Sequence, residues 1–175
     1  MDVKFLFEAL DASGLAAFSK ASGGVFALVQ TVHLASMALL GGMLLVTDLR
    51  LLNVVLRGVS ADLVVEATRK WINYALAAMI LSGIYMSSAV AIKLYFNFFF
   101  WSKMTALILS CISLYFIKLP LLERGVDRLG VWTVRLIALA SLVTWFSVAA
   151  SGRWIGFSYV SYTHIRAHQT GRHIS

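Results

Sequence analysis

Residues 24–52 read GVFALVQTVHLASMALLGGMLLVTDLRLL, an apolar run in which His33 is the single ionisable side chain before Asp48. About 20 apolar residues are enough for a helix to cross the hydrocarbon core of a bilayer. An ionisable side chain within such a span is costly to place and by default marks a functional site. We therefore expect a membrane helix in which His33 meets a partner that offsets its cost.

The composition of the whole chain is that of a membrane protein. Of its 175 residues, 60% are hydrophobic and 13% charged, and the mean hydropathy is +0.83. A soluble domain of this length would have to cover its outside with polar groups. The apolar runs do not alternate as barrel strands do, so we predict an all-α integral membrane protein with a single domain.

Charge and motifs limit the possible functions. The net charge is +7, but the basic residues flank the apolar runs, which favours lipid head groups rather than nucleic acid as partners. The sequence contains no phosphate-binding loop, CxxC pair, HExxH or GxSxG motif, and Cys111 is its one cysteine. No catalytic class follows from the sequence, and the catalytic residues are unknown.

Four apolar runs predict a four-helix bundle. The predicted spans are 25–46, 72–92, 99–117 and 131–150. We expect a transmembrane domain at 1–157, which includes an amphipathic interfacial segment at 1–22, and a basic His-containing tail at 158–175. Four spans put both termini on one side. The side with the two connections carries eight basic residues against seven, which favours termini outside the cytoplasm.

Several polar side chains are predicted to meet in the leaflet nearest the termini. His33 lies about 12 Å into its span, and Lys103 enters the third span from the same face at a depth of about 6 Å. Gln30 and Met37 recur with His33 at spacings of three and four, on one helical stripe. Arg153 leaves the fourth span at this face.

This arrangement is typical of a haem site. A neutral imidazole in a helical bundle is a common axial ligand of haem iron, and basic groups near the membrane face would pair with the propionates. Met37, Met79 and Met86 are expected as walls. The predicted cofactor-binding residues are His33, Lys103, Gln30, Met37 and Arg153, with His33 also as the metal ligand. The predicted function is electron transfer within the membrane by a protein that binds haem b.

The sequence leaves alternatives open. No second intramembrane histidine exists, so the other axial ligand would be Lys103 as a neutral amine, a methionine, a tail histidine or none. His33 could instead bond to a neighbouring helix, or handle protons or metal ions. Lys103 and Arg153 could be interfacial anchors.

Other side chains also have more than one interpretation. Asp48 and Arg50 are expected to form a helix-end ion pair or a docking point. The tail histidines could bind a metal or simply be exposed; they are His164, His168 and His173.

A second class of function is an accessory or structural subunit of a larger membrane complex. Gly83, Ser87 and Ala91 form a ridge of small residues that would let another helix approach closely. In this interpretation the partner is a redox protein in the membrane or a second copy of the chain.

Four stretches resemble a family of small, uncharacterised bacterial four-helix membrane proteins. In chain order they are His33 with the small-residue run to Gly42, DLRLL at 48–52, YFNFFFWSK at 95–103 and GRWI at 152–155. The resemblance implies the four-helix architecture and a multi-pass location in the bacterial inner membrane.

A more distant similarity is to four-helix, haem-containing protoporphyrinogen oxidases and to copper-resistance-type membrane domains. These proteins also place a histidine before a Gly-rich half of the first helix. In the oxidases, a lysine that opens the third helix joins that histidine at the haem, and His33 and Lys103 occupy comparable places. Leu40, Gly41 and Gly42 replace the aromatic-glycine feature of the oxidases. This difference argues against oxidase activity and leaves haem binding open.

Overall fold

A computed structural model describes the backbone of residues 3–170 and the side chains of residues 3–126 and 128–154. The fold is all-helical, as predicted. Its elements are α1 (Lys4–Asp11), α2 (Gly14–Ala21), α3 (Gly23–Leu51), α4 (Ala61–Ala89), α5 (Ala91–Tyr95), α6 (Phe98–Ile112), a π-helical segment (Ser113–Lys118), α7 (Leu119–Leu122), a 3₁₀ turn (Val126–Arg128) and α8 (Val131–Thr170).

Within this described part, four helical segments are long and apolar enough to cross a membrane. They are Gly23–Leu51, Ala61–Ala89, Phe98–Leu122 and Val131–Trp154. We call them the first to fourth spans. The protein is therefore a multi-pass membrane protein, and its setting is a lipid bilayer.

The second span begins well before the predicted residue 72. Helix α4 starts after Ser60, whose hydroxyl accepts a hydrogen bond from the backbone N–H of Leu63 at 3.4 Å. Residues 61–71 are helical although they precede the predicted apolar span. Hydropathy marks where a helix enters the bilayer, whereas the cap residue marks where the helix begins.

The third span continues past its predicted end at residue 117, and past Pro120, to Leu122. Pro120 has no backbone N–H, so a regular α-helix would leave the Phe116 carbonyl without its usual partner. The wider turns of the π-helical segment Ser113–Lys118 precede the proline, and the helix goes on to Leu122. Segments of this kind are rare and are frequent at functional sites.

The two N-terminal helices form a collar at the end of the bundle nearest the termini. Ser13 caps α2 by accepting a hydrogen bond from the N–H of Ala16 at 3.2 Å. Phe7 of α1 packs edge-on against Tyr95 and Phe100, with ring centroids 5.5 and 5.9 Å apart. Phe5 on the outer side of α1 is 70% exposed, as expected of an interfacial helix.

The two halves of the bundle pack differently. In the half nearest the connections, all four spans share one core, built around Leu40, Leu76 and Leu114 and joined by Trp145 of α8. Toward the termini, α3 packs along α4 and α6 packs along α8, but α4 and α6 make hardly any direct contact. The gap between α4 and α6 forms a cavity.

Candidate functional site

The gap between α4 and α6 is a cavity of about 410 Å³, which we call the terminal-side cavity. Helix α3 forms its back, and Phe7 and Leu10 of α1 cover it at the membrane surface. Nearly all of its lining is apolar, and the polar side chains in it are His33, Ser87 and Lys103. Both the volume and the few convergent polar groups are typical of small-molecule sites, which usually span about 300–1,000 Å³.

His33 is held in one orientation by the neighbouring helix. Its Nδ1 lies 2.9 Å from Oγ of Ser82 on α4. The Ser82 hydroxyl lies 2.6 Å from the carbonyl oxygen of Ala78 and 3.2 Å from that of Met79. In the tautomer in which Ser82 donates to one of these carbonyls, Nδ1 donates to Ser82 and the lone pair is on Nε2. The backbone of Met79 also forms a hydrogen bond with the imidazole.

Gly83 gives the imidazole its space. A Cβ atom at this position would lie 3.3 Å from Cε1 and 3.7 Å from Nδ1 of His33, which is tighter than ordinary packing. Gly83 therefore lets α4 approach α3 at the height of His33. The ridge of small residues predicted at Gly83, Ser87 and Ala91 does not lie on one helix, because α4 ends at Ala89, and Gly83 and Ser87 line the cavity instead.

Lys103 lies on the opposite wall, in the first turns of α6. Its stem and ammonium pack against Gly152 of α8, where an added Cβ would lie 3.4 Å from Nζ. No carboxylate pairs with Lys103 among the side chains that the structure describes. It is close enough to His33 to act on it electrostatically. Two glycines on two different helices thus make room for the two basic side chains.

The remaining walls suit a flat apolar ligand. Met79 and Met86 of α4 line the cavity, as the sequence predicts, and Met104 of α6 joins them. Thioether side chains are flexible and polarisable, so they adapt to large ring systems. Because no Asp or Glu stands among the lining residues, the cavity is electrostatically suited to an apolar molecule with an acidic group.

Three of the predicted site residues lie elsewhere. Gln30 is exposed on α3, and Met37 lines a separate cavity between α3 and α8. Arg153 is exposed and follows Gly152 on α8, but it is not part of the cavity wall. The structure therefore brings together His33 and Lys103 but not the other three.

The tail histidines cannot be placed in any site. Helix α8 runs without a break from the fourth span to Thr170, through most of the predicted tail. The side chains of His164 and His168 are outside the described ones, and His173 lies outside the described residues altogether.

A buried ion pair lies in the other half of the bundle, and the sequence did not reveal it. Asp48 and Lys118 are 0% and 2% exposed, and Nζ of Lys118 donates both to Oδ1 of Asp48 and, at 3.1 Å, to Oγ of Ser141. The predicted partnership of Asp48 with Arg50 is wrong, because Nε of Arg50 donates to the carbonyl oxygen of Val59 at 2.7 Å. Three spans meet at this pair.

The possible metal chemistry is limited by the ligands at hand. Within the described residues, no group of three or more His, Cys, Asp and Glu side chains could hold a metal ion. Among the lining residues of the terminal-side cavity, His33 is the one His, Cys, Asp or Glu. An iron centre that brings its own nitrogen ligands needs one imidazole only, and this is what the cavity offers.

Comparison with known proteins gives the family but no function. No curated protein and no solved structure matches the chain. The predicted similarity to the haem-containing oxidases therefore stays a prediction. A family model matches residues 6–158, from the interfacial helices to the end of the fourth span. The chain belongs to this family, a family of unknown function designated DUF6644.

Proposed function

We propose that this protein is a membrane-embedded b-type haem protein that takes part in electron transfer, with His33 as an axial ligand in the terminal-side cavity. The observation that carries the proposal is a histidine whose Nδ1 is hydrogen-bonded to Ser82 on the wall of an apolar cavity of about 410 Å³. Metal-bound histidines commonly donate their other ring nitrogen in this way, which fixes the tautomer.

The other residues of the cavity fit the same group. Lys103 is a cation without a carboxylate partner in the described side chains, and it would pair with a propionate. Met86 and Met104 would contact the macrocycle, and either thioether is a candidate for the second axial position. A bound haem would supply one-electron chemistry at its iron, while the protein would position the ring and exclude water.

The site also favours haem over the structural interpretation of His33. A histidine that only links two helices would be satisfied by its bond to Ser82, and the helices could then close around it. Here α4 and α6 stay apart at this level, and a second basic side chain lines the gap. The space between them has the volume of a ligand site.

The proposed setting is the bacterial inner membrane, with both termini on the non-cytoplasmic side. The excess of basic residues on the connecting loops supports this orientation. Electrons would then pass to or from a redox partner in the membrane. The alternative role as an accessory subunit predicts a stable complex without a cofactor.

A visible absorption spectrum tests the proposal. The protein, purified in mild detergent from haem-replete cells, should show a Soret band, and His33→Ala should abolish it. Gln30→Ala is the matched control, because Gln30 is exposed on the same helix and should leave the band unchanged. If the purified protein is folded, as shown by a cooperative thermal unfolding transition, but has no Soret band, the proposal is overturned.

A further inference from the structure

In the described part of the chain, the terminal-side cavity has a wall on every side except one. Helix α3 lies behind it, and α1 covers it at the membrane surface. Toward the connections, α4 and the third span close together, because Leu76 and Leu114 belong to one core. Further along the same cleft, the Tyr115 hydroxyl donates to Oδ1 of Asn73 at 2.7 Å. The remaining side lies between the outer edges of α4 and α6, away from α3.

The outer edge of α4 belongs both to the cavity wall and to the lipid-facing surface. Ile80 and Ile84 line the cavity, and they are 40% and 52% exposed. They continue a row of exposed residues on the same side of the helix, in which Ala77 and Asn73 lie one and two turns before Ile80. The cavity is therefore open on the side of α4 that faces the acyl chains.

The edge of α6 has a similar position. Met104 and Leu107 line the cavity and are half-buried, and the next residue, Ile108, is 59% exposed. Lipid tails form no hydrogen bonds, so a rim without polar groups loses nothing by facing them. We call this rim of Ile80, Ile84, Met104 and Leu107 the lateral mouth.

We infer that the lateral mouth is the entrance of the terminal-side cavity, and that the ligand is an amphiphilic carboxylic acid taken from the bilayer. Its acid group would lie at Lys103, and its apolar part would lie toward the mouth. Haem and free fatty acids share this chemistry. The choice of haem rests on the proposed function.

The depth of the polar groups fits such a ligand. Lys103 lies in the first turns of α6, near the membrane surface, and no carboxylate pairs with it among the described side chains. Leu107 of the mouth is one turn deeper in the bilayer. An amphiphile dissolved in this leaflet has the same orientation, with its acid group at the headgroups and its apolar part below. It can therefore move sideways into the cavity without turning over.

The reactivity of a thiol inside the cavity tests the mouth without any cofactor. Ser87 lines the cavity, so Ser87→Cys is made in a Cys111→Ala background and reconstituted in nanodiscs. Labelling rates are divided by those of the protein unfolded in dodecyl sulfate. A lipid-soluble alkyl maleimide should then react at least about tenfold faster than a membrane-impermeant sulfonated one, because access limits thiol reactions. A ratio of one or less would overturn the inference.

Two tryptophan substitutions on α4 test the position of the mouth. Ile84→Trp enlarges a side chain at the rim, so it should slow labelling of Ser87→Cys by the lipid-soluble reagent about tenfold. Leu81→Trp is the matched control, because Leu81 is 69% exposed on the same helix and lies outside the cavity. Equal labelling rates in the two variants would show that the ligand does not enter here and would overturn the inference.

Pairs of an acid and its ester test the class of ligand. Haem and its dimethyl ester are supplied in the nanodisc lipid, and their binding to the parent protein is followed at the Soret band. Oleate and methyl oleate are compared by how well they protect the Ser87→Cys thiol. We expect haem to bind about tenfold or more tightly than its ester, since the ester loses a hydrogen bond to a charged group. We expect neither oleate nor methyl oleate to protect the thiol.

These measurements separate a failure of the inference from a failure of the proposed function. If no Soret band forms but oleate protects the thiol better than methyl oleate, the haem proposal is wrong and the inference holds with a fatty acid as the ligand. If haem and its ester bind equally and oleate protects no better than its ester, the cavity recognises no acid group and the inference is wrong.

Discussion

The third span carries two intramembrane lysines, and the protein treats them in opposite ways. Lys118 is 2% exposed and has both a carboxylate and a hydroxyl as partners. Lys103 lines a cavity and has no acid partner in the described part of the chain. Burying a charge in lipid is costly unless it is paired, so the paired lysine belongs to the structure of the bundle. In the proposed function, the unpaired one would meet a molecule from outside the chain.

The helices pack closely around Lys118 and stay further apart around Lys103. Near Lys118, all four spans share one core, and the hydroxyls of Thr47 and Thr68 bond across α3 and α4 at 2.9 Å. Near Lys103, α4 and α6 stay apart and Gly152 makes room for the stem. One half of the bundle provides stability, and the other half gives up packing for a cavity.

The largest expected effect comes from removing the partner of Lys118. Asp48→Ala leaves a buried ammonium ion without its counter-charge, which should lower the free energy of unfolding by about 3–5 kcal/mol. Unfolding in mixed micelles with increasing dodecyl sulfate measures the loss. Adding Lys118→Met to Asp48→Ala should restore most of the stability, because no charge remains buried. If Asp48→Ala alone were as stable as the parent, Lys118 would not need its partner.

The next largest effect on stability is expected when alanine replaces one of two glycines in different surroundings. Gly83→Ala should strain the His33 ring and cost about 1–3 kcal/mol, less the gain in helix propensity. Gly41→Ala, where nothing lies within 4 Å, should be neutral or stabilising by up to about 1 kcal/mol. The same unfolding assay compares them. In a His33→Ala background the penalty of Gly83→Ala should disappear, and its persistence there would show that the imidazole is not its cause.

The unpaired lysine should affect ligand binding rather than stability. Lys103→Met removes the cation that would pair with a propionate, so haem should bind about tenfold more weakly while the unfolding curve stays unchanged. Haem titration followed at the Soret band measures the affinity. Lys93→Met is the control, since Lys93 is exposed on α5 and outside the cavity. A fall in stability with unaltered haem affinity would place Lys103 among the structural residues.

The smallest effect is expected at the surface. Arg69 and Glu123 form an ion pair whose side chains are 49% and 51% exposed, so Glu123→Gln should change the free energy of unfolding by less than about 1 kcal/mol. Unfolding of this variant at low and high salt is the measurement. A loss as large as that of Asp48→Ala would mean that pairing stabilises this bundle regardless of burial.

Depth in the membrane could be predicted from the sequence, but the direction of each side chain could be predicted less well. Counting residues into each span placed His33 and Lys103 in one leaflet, and both line one cavity. Gln30 and Met37 were placed with them because they are three and four positions from His33. At 3.6 residues per turn, these spacings rotate both by about 40–60° in the same direction. Met37 accordingly lines the cavity toward α8.

The pairing of Asp48 with Lys118 could not be predicted in this way. Pro120 indicates a helix end shortly after Lys118, and a lysine at a helix end is expected to reach water. The π-helical segment keeps the third span going, and Lys118 at its end is buried against α3 and α8. Such a segment changes the phase of the helix, and no residue pattern in Ser113–Lys118 announces it.

Helix α1, which covers the terminal-side cavity, is an interfacial helix. Phe7 and Leu10 of α1 close the cavity, while Phe5 and Leu6 on the outer side of the same helix are 70% and 61% exposed. Displacing α1 at the lipid headgroups would therefore uncover the cavity. In the proposed function, the rate at which the cavity exchanges its occupant should then differ between nanodiscs of different lipid composition.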